Sequence, residues 1–104
     1  MSQAESKLSR KIMTAVRGAG YFCFKVHGSE YMMAGLPDII VCADGHFIGL
    51  ETKMPNERKN TSARQEYVHD LINAAKGTAV VVCSASEALR VIADVIEGGN
   101  NAER

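Results

Sequence analysis

The heptapeptide Gly35-Leu36-Pro37-Asp38-Ile39-Ile40-Val41 and the later tetrapeptide Leu50-Glu51-Thr52-Lys53 decide how this chain is read. Asp38 opens one apolar run, and Glu51-x-Lys53 closes the next. Between them, Ala43-Asp44-Gly45-His46 holds an Asp-Gly pair. That pair favours a two-residue hairpin turn, because both central residues of such a turn need positive φ. Residues 38–43 and 46–53 are therefore expected to be antiparallel strands. Asp38 lies six residues before Asp44 and Glu51 six after Gly45, so the ladder sets the two carboxylates roughly opposite each other. Strand alternation puts Gly49, Glu51 and Lys53 on one face and Ile48, Leu50 and Thr52 on the other. Charges on a covered sheet face are costly unless they have partners. Two carboxylates can hold a divalent cation, and oxygen ligands suit Mg²⁺ or Mn²⁺. Such an ion can polarise a phosphate and lower the pKa of a bound water. Lys53 can orient that water or stabilise charge on phosphorus.

The flanking segments supply the rest of a domain. Residues 4–17 place Leu8, Ile12, Ala15 and Val16 at helical spacing, and Gly18 and Gly20 stop the run. Glu5 lies on that apolar stripe, where a carboxylate needs a partner. Residues 21–27 alternate as a strand, with Phe22, Phe24 and Val26 on one side and Lys25 and His27 on the other. Residues 28–36 form a loop with Tyr31, Met32 and Met33 that should border the site, packing on a second subunit or on a base. Pro55, Asn56 and Asn60 mark a polar loop through residue 61. Ser62-x-x-Gln65 resembles a capping box opening a helix over 62–76, with Val68, Leu71, Ile72 and Ala75 inside and Gly77 as the stop. Residues 78–83 are apolar throughout, as in a central strand covered on both faces. Ser84-x-x-Glu87 starts a third helix with Leu89, Ile92, Val95 and Ile96 inside. Gly98-Gly99 is expected to end it and to leave 100–104 as a frayed tail.

The expected order is α-β-β-β-α-β-α, an α/β domain over residues 1–99 with a mixed central sheet flanked by helices. The β-α-β segment implies a right-handed crossover between parallel strands. No apolar run approaches the roughly 20 residues of a membrane span. The first residues lack the pattern of a signal peptide. A cytoplasmic protein is expected. Cys23, Cys42 and Cys83 sit in apolar runs with no CxxC spacing, as buried free thiols would. Net charge is zero but uneven, with nine Lys/Arg against six Asp/Glu over residues 1–64 and three against six over 65–104. Lys25, Arg58, Lys59 and Arg64 are candidate phosphate contacts on the basic portion. His27, His46 and His69 show no metal-ligand spacing and are read as structural or exposed.

Pro37-Asp38 followed by Glu51-Thr52-Lys53 resembles the PD-(D/E)XK nuclease pattern. With Glu5 in the preceding helix, Gly35 before Pro37-Asp38, and Gln65 opening the following helix, residues 4–83 are similar to the virus-type replication-repair nuclease (VRR-NUC) domain. The resemblance implies a restriction-endonuclease-like core. It implies Asp38, Glu51 and the Thr52 main-chain carbonyl as metal ligands. It also implies Lys53 as catalytic lysine, Glu5 as an additional acid at the site and possible ligand, and Gln65 as a residue positioning the lysine or water. Small stand-alone members, as in phages and bacteria, resemble homodimers that act on branched DNA, notably four-way (Holliday) junctions. A less selective nickase, flap or duplex endonuclease is the alternative within nucleases, and a DNA-binding module without catalysis is the alternative outside them.

Overall fold

The computed structural model describes residues 2–102, with side-chain surroundings up to residue 98. The elements follow in the expected order: α1 (Gln3–Gly18), β1 (Phe22–Lys25), β2 (Ile39–Ala43), β3 (His46–Thr52), α2 (Ala63–Ala74), β4 (Thr78–Val82) and α3 (Ala85–Ala102). A short 3-10 turn, Pro55–Glu57, lies in the polar loop after β3. The four strands form one mixed sheet in the order β1-β2-β3-β4. The β1/β2 and β2/β3 pairs are antiparallel, and β3/β4 is parallel across the α2 crossover.

The hairpin between β2 and β3 forms as its turn residues require. Asp44 has φ 51° and Gly45 φ 81°, both in the left-handed region. Ile39 lies opposite Leu50, so the next position outward sets Asp38 beside Glu51. On one face of the sheet, Cys23, Ile39, Val41, Ala43, Ile48, Leu50 and Val82 meet Ile12 and Val16 of α1 and Ala88 and Ile92 of α3. Alternation sends Asp38, Gly49 and Glu51 to the opposite face, over which α2 lies.

Several local expectations change for reasons outside local pattern. The strand 78–82 is not central but forms an edge, because no later strand pairs with it. Its apolar character reflects cover by α2 on one side and α3 on the other. The inward stripe of α2 is also rotated from the expected one. Val68 and His69 are buried, whereas Leu71 is 44% exposed. Phe22 and Phe24 do share a side, but it is the α2 face of the sheet at its β1/β2 end, where they stay exposed, and Cys23 is the β1 residue that enters the core. Cys42 faces the same side and is exposed. All three thiols are free. Helix α3 runs past Gly98-Gly99 to Ala102. Glycine weakens a helix by about 1 kcal/mol, but it ends one only where the backbone turns to positive φ. Residues 103 and 104, the rest of the expected tail, lie outside the described residues. Among the described residues no helix is long and apolar enough to cross a membrane.

The exposed edge of β4 is blunted by a side chain. The Val82 carbonyl accepts from Lys53 N–H across the β3/β4 pair, so by alternation the Ala79 groups point outward. There Asn73 Oδ1 accepts from Ala79 N–H at 2.9 Å, and Asn73 Nδ2 donates to the Ala79 carbonyl at 3.4 Å. The amide stands in for a fifth strand at that position. Asn73→Ala is expected to destabilise the domain by about 1–3 kcal/mol, because it leaves a buried N–H unpaired. For a domain of this size that lowers Tm by roughly 5–15 °C in calorimetry. An unchanged Tm would show that the edge does not need the amide.

Candidate active site

Two close backbone approaches deliver Asp38 to the sheet edge. Gly35 has φ 87°, and a Cβ there would lie 2.7 Å from the Arg64 carbonyl oxygen. Gly49 lies directly under Pro37, where a Cβ would come within 2.5 Å of the proline Cγ. The Pro37 ring is fully buried on this site-bearing face of β3. Leu36 and Pro37 can therefore cross the sheet closely, and Asp38 follows at a set height. Its Oδ2 accepts from Thr52 N–H at 2.7 Å, and its carbonyl accepts from Val26 N–H at 2.8 Å. Lys25 Nζ stands 4.0 Å from Asp38 Oδ1. Asp38 is thus tied to the strand ends on both sides of it. A cleft of about 320 Å³ opens beside it, lined by Val26, Ser29, Met32, Met33, Leu36 and Asp38 among others. The 28–36 loop borders the site as expected.

Glu51 is only 2% exposed. Burial raises its pKa to about 8, helped by the adjacent Asp38 carboxyl through hydrogen bonding and charge; Lys53 and Lys25 pull weakly the other way. That shift favours the neutral carboxyl near pH 7. Its Oε1 has no hydrogen-bond partner. A buried carboxyl beside a second carboxylate, with one oxygen unsatisfied, is the environment a hard divalent cation relieves. Among the described residues no three His, Cys, Asp or Glu side chains converge on one point. The Asp38 and Glu51 carboxyls could hold a hard cation that keeps several waters, as Mg²⁺ or Mn²⁺ does, rather than one needing an all-protein cage. The half-buried Lys53 follows on the same face, its N–H bonded to the Val82 carbonyl at 3.1 Å.

The other expected site residues divide into groups. Glu5 occupies the first turn of α1, where its N–H donates to Ser2 Oγ at 3.1 Å. It lies one turn before the buried Ser9, Ile12 and Val16. Among the described residues no hydrogen bond or ion pair joins it to Asp38 or Glu51. Gln65 forms the capping box, its Oε1 accepting from Ser62 N–H at 3.0 Å and its own N–H donating to Ser62 Oγ at 3.1 Å. It makes no hydrogen bond to Asp38, Glu51 or Lys53. Arg58 is engaged by Glu87 at 2.7 Å, which anchors the polar loop to α3. Arg64 donates to the Ala34 carbonyl at 3.1 Å and lies 5.2 Å from the Tyr67 ring centre, fastening the 28–36 loop to α2. Lys59 is exposed on the polar loop.

One residue enters that spacing did not single out. His69 of α2 is 8% exposed, with Nε2 3.5 Å from Glu51 Oε1. Burial lowers its pKa, against the pull of Asp70, Asp38 and Glu66. Burial pushes the two partners in opposite directions, so in the metal-free protein the contact joins neutral groups rather than an ion pair. The sequence signal for it was its place one turn after Gln65 on the same helix face.

No protein-family model and no curated protein matches this chain. Among solved structures it is similar to one described as "VRR_NUC domain", with a TM-score of 0.67 and 20% identity over 88% of this chain and 96% of that one. At that identity the likeness establishes the fold, a mixed four-stranded sheet flanked by helices in the restriction-endonuclease-like arrangement.

Proposed function

We propose that this protein is a metal-dependent endonuclease that hydrolyses phosphodiester bonds in branched DNA, four-way junctions above all, as a homodimer. The observation that carries the reading is the buried Glu51 carboxyl paired with the partly buried Asp38 beside Lys53, on a fold shared with a VRR_NUC domain. Asp38, Glu51 and the Thr52 main-chain carbonyl would hold a Mg²⁺ or Mn²⁺ ion, which when bound polarises the scissile phosphate and acidifies a water. Lys53 orients the attacking water and offsets the charge that builds on the phosphoryl oxygens. Glu5, at the head of the α1 stripe, is the additional acid of this reading. Asp38 is held by the Thr52 N–H before any ligand arrives, so its orientation needs no reorganisation during the reaction.

The exposed part of the α2-bearing sheet face, at its β1/β2 end, supports the dimer. Phe22, Phe24, Cys42 and Phe47 share it, and Phe22 is 66% exposed. A contiguous apolar patch of that kind on a small domain marks an interaction surface. A two-fold dimer also matches the symmetry of a four-way junction and supplies one site per strand. DNA would be read through shape and phosphates, so binding weakens steeply with salt.

The test is cleavage of a labelled four-way junction and of a linear duplex of the same sequence, in Mg²⁺, Mn²⁺ or EDTA, with mass in solution measured in parallel. Junction-selective cutting by a dimer is expected, lost in EDTA and in Asp38→Ala. Equal cutting of both substrates would replace the junction reading with a less selective nuclease. Binding of DNA without cleavage in either metal would replace catalysis with a binding role.

A further inference from the structure

Helix α2 carries a polar line, Gln65, His69 and Asn73, each one turn from the next, of which His69 and Asn73 meet the sheet. The outer two are fastened. Gln65 closes the capping box with Ser62, and Asn73 grips the main chain of Ala79. The capping box fixes where the helix starts, and the Asn73 bonds to Ala79 tie the helix to the edge strand one turn after His69. His69 itself meets Glu51. Its Nε2 and Glu51 Oε1 lie 3.5 Å apart, both are buried, and neither atom has another hydrogen-bond partner. Two buried polar atoms are thus left to each other. Helix α2 spends inward positions on polar side chains while Leu71 points to solvent.

We infer that His69 is a positioning residue for Glu51: its Nε2–H donates to Oε1 and holds Glu51 beside Asp38 in the orientation both need to share a cation. This rests on the metal reading of the carboxylate pair. An ionised carboxylate accepts strongly from a buried N–H donor, and partners outside the ligand shell typically set metal affinity by 10–100-fold. The inference requires the tautomer with the proton on Nε2.

The experiment measures Mn²⁺ affinity by electron paramagnetic resonance of the free ion, for the intact protein and for His69→Phe, His69→Gln and Asp38→Asn. Phe keeps bulk and loses the donor; Gln restores an amide N–H at about the reach of Nε2. Tm in EDTA confirms that each variant is folded. His69→Phe is expected to bind Mn²⁺ about tenfold or more weakly, with a matching fall in kcat and an unchanged KM for DNA, and His69→Gln to recover most of both. A folded His69→Phe with wild-type Mn²⁺ affinity would overturn the role of His69 alone. Should Phe not fold, a folded His69→Gln with affinity as low as Asp38→Asn would overturn it equally. No Mn²⁺ binding by the unaltered protein would overturn the metal reading beneath it.

Discussion

Glu51→Gln is expected to cut cleavage by orders of magnitude and, in EDTA at neutral pH, to make the protein more stable. The two effects share one cause. Glu51 is buried beside Asp38, and its folded-state pKa is raised from 4.5 to about 8. Between those values the folded protein holds a proton that the unfolded chain has released. The stability it contributes is fully present below about pH 4.5 and is lost as pH rises to about 8. The loss is at most about 1.4 kcal/mol per pH unit. Glutamine mimics the neutral carboxyl at every pH, so the variant should match the wild type near pH 4.5 and exceed it progressively above. A saturating divalent cation should flatten the wild-type profile, because it replaces the proton, and should leave the variant unchanged. Cleavage should fall by about 10²–10³-fold or more, the scale of losing one preorganised charged group at a reacting phosphate. Urea midpoints from pH 5 to 9, with EDTA and with Mn²⁺, test the linkage. A wild-type profile in EDTA that stays flat across that window would remove its basis.

The parts of this site that were legible in the sequence are those set by short-range rules. The Asp-Gly turn and the period of two fix the β2/β3 register, and that register alone sets Asp38 against Glu51 and puts Lys53 on the same face. What local pattern missed depended on distant partners. Leu71 reads as core, and His69 as structural or exposed with no role at the site, because hydrophobicity is the signal for an inward face. Here the inward face carries His69 beside the buried Val68, since Glu51 and the Ala79 main chain supply polar partners for His69 and Asn73. Phe22 and Phe24 lie at the end of the α2 face that α2 does not reach, and their exposure there has no partner among the described residues of the single chain. Arg58 and Arg64 sit in a basic, polar stretch as phosphate contacts would, yet each is committed to a contact that holds a loop in place. Whether β4 was central or an edge depended on how many strands the sheet would contain, which no single segment states.

Gly49→Ala is the substitution that separates the site from the fold. Alanine normally suits a strand interior better than glycine by roughly 0.5–1 kcal/mol, so propensity alone expects a gain. The structure expects the opposite sign. The new Cβ would lie 2.5 Å from Pro37 Cγ and 3.0 Å from Pro37 Cβ. Neither side yields easily, because Gly49 is held between Ile40 on β2 and Ala79 on β4, and the Pro37 ring is fully buried. Overpacking of this kind costs about 1–3 kcal/mol. The larger consequence is displacement. Pushing Pro37 outward moves Asp38, the next residue, away from the Thr52 N–H and from Glu51. A misplacement on the order of 1 Å can cost about 10²-fold in rate. Cleavage should therefore fall further than the loss of stability accounts for, as denaturant midpoints and cleavage rates under saturating Mn²⁺ would show. Pro37→Ala in the same chain supplies the control, because removing the ring removes the clash. The double variant should be markedly more stable than the sum of the single effects implies, yet it should remain a poor nuclease because Asp38 has lost its anchor. Simple additivity of the two stability losses would show that the proline and the glycine do not meet, and that something other than their contact sets the height of Asp38.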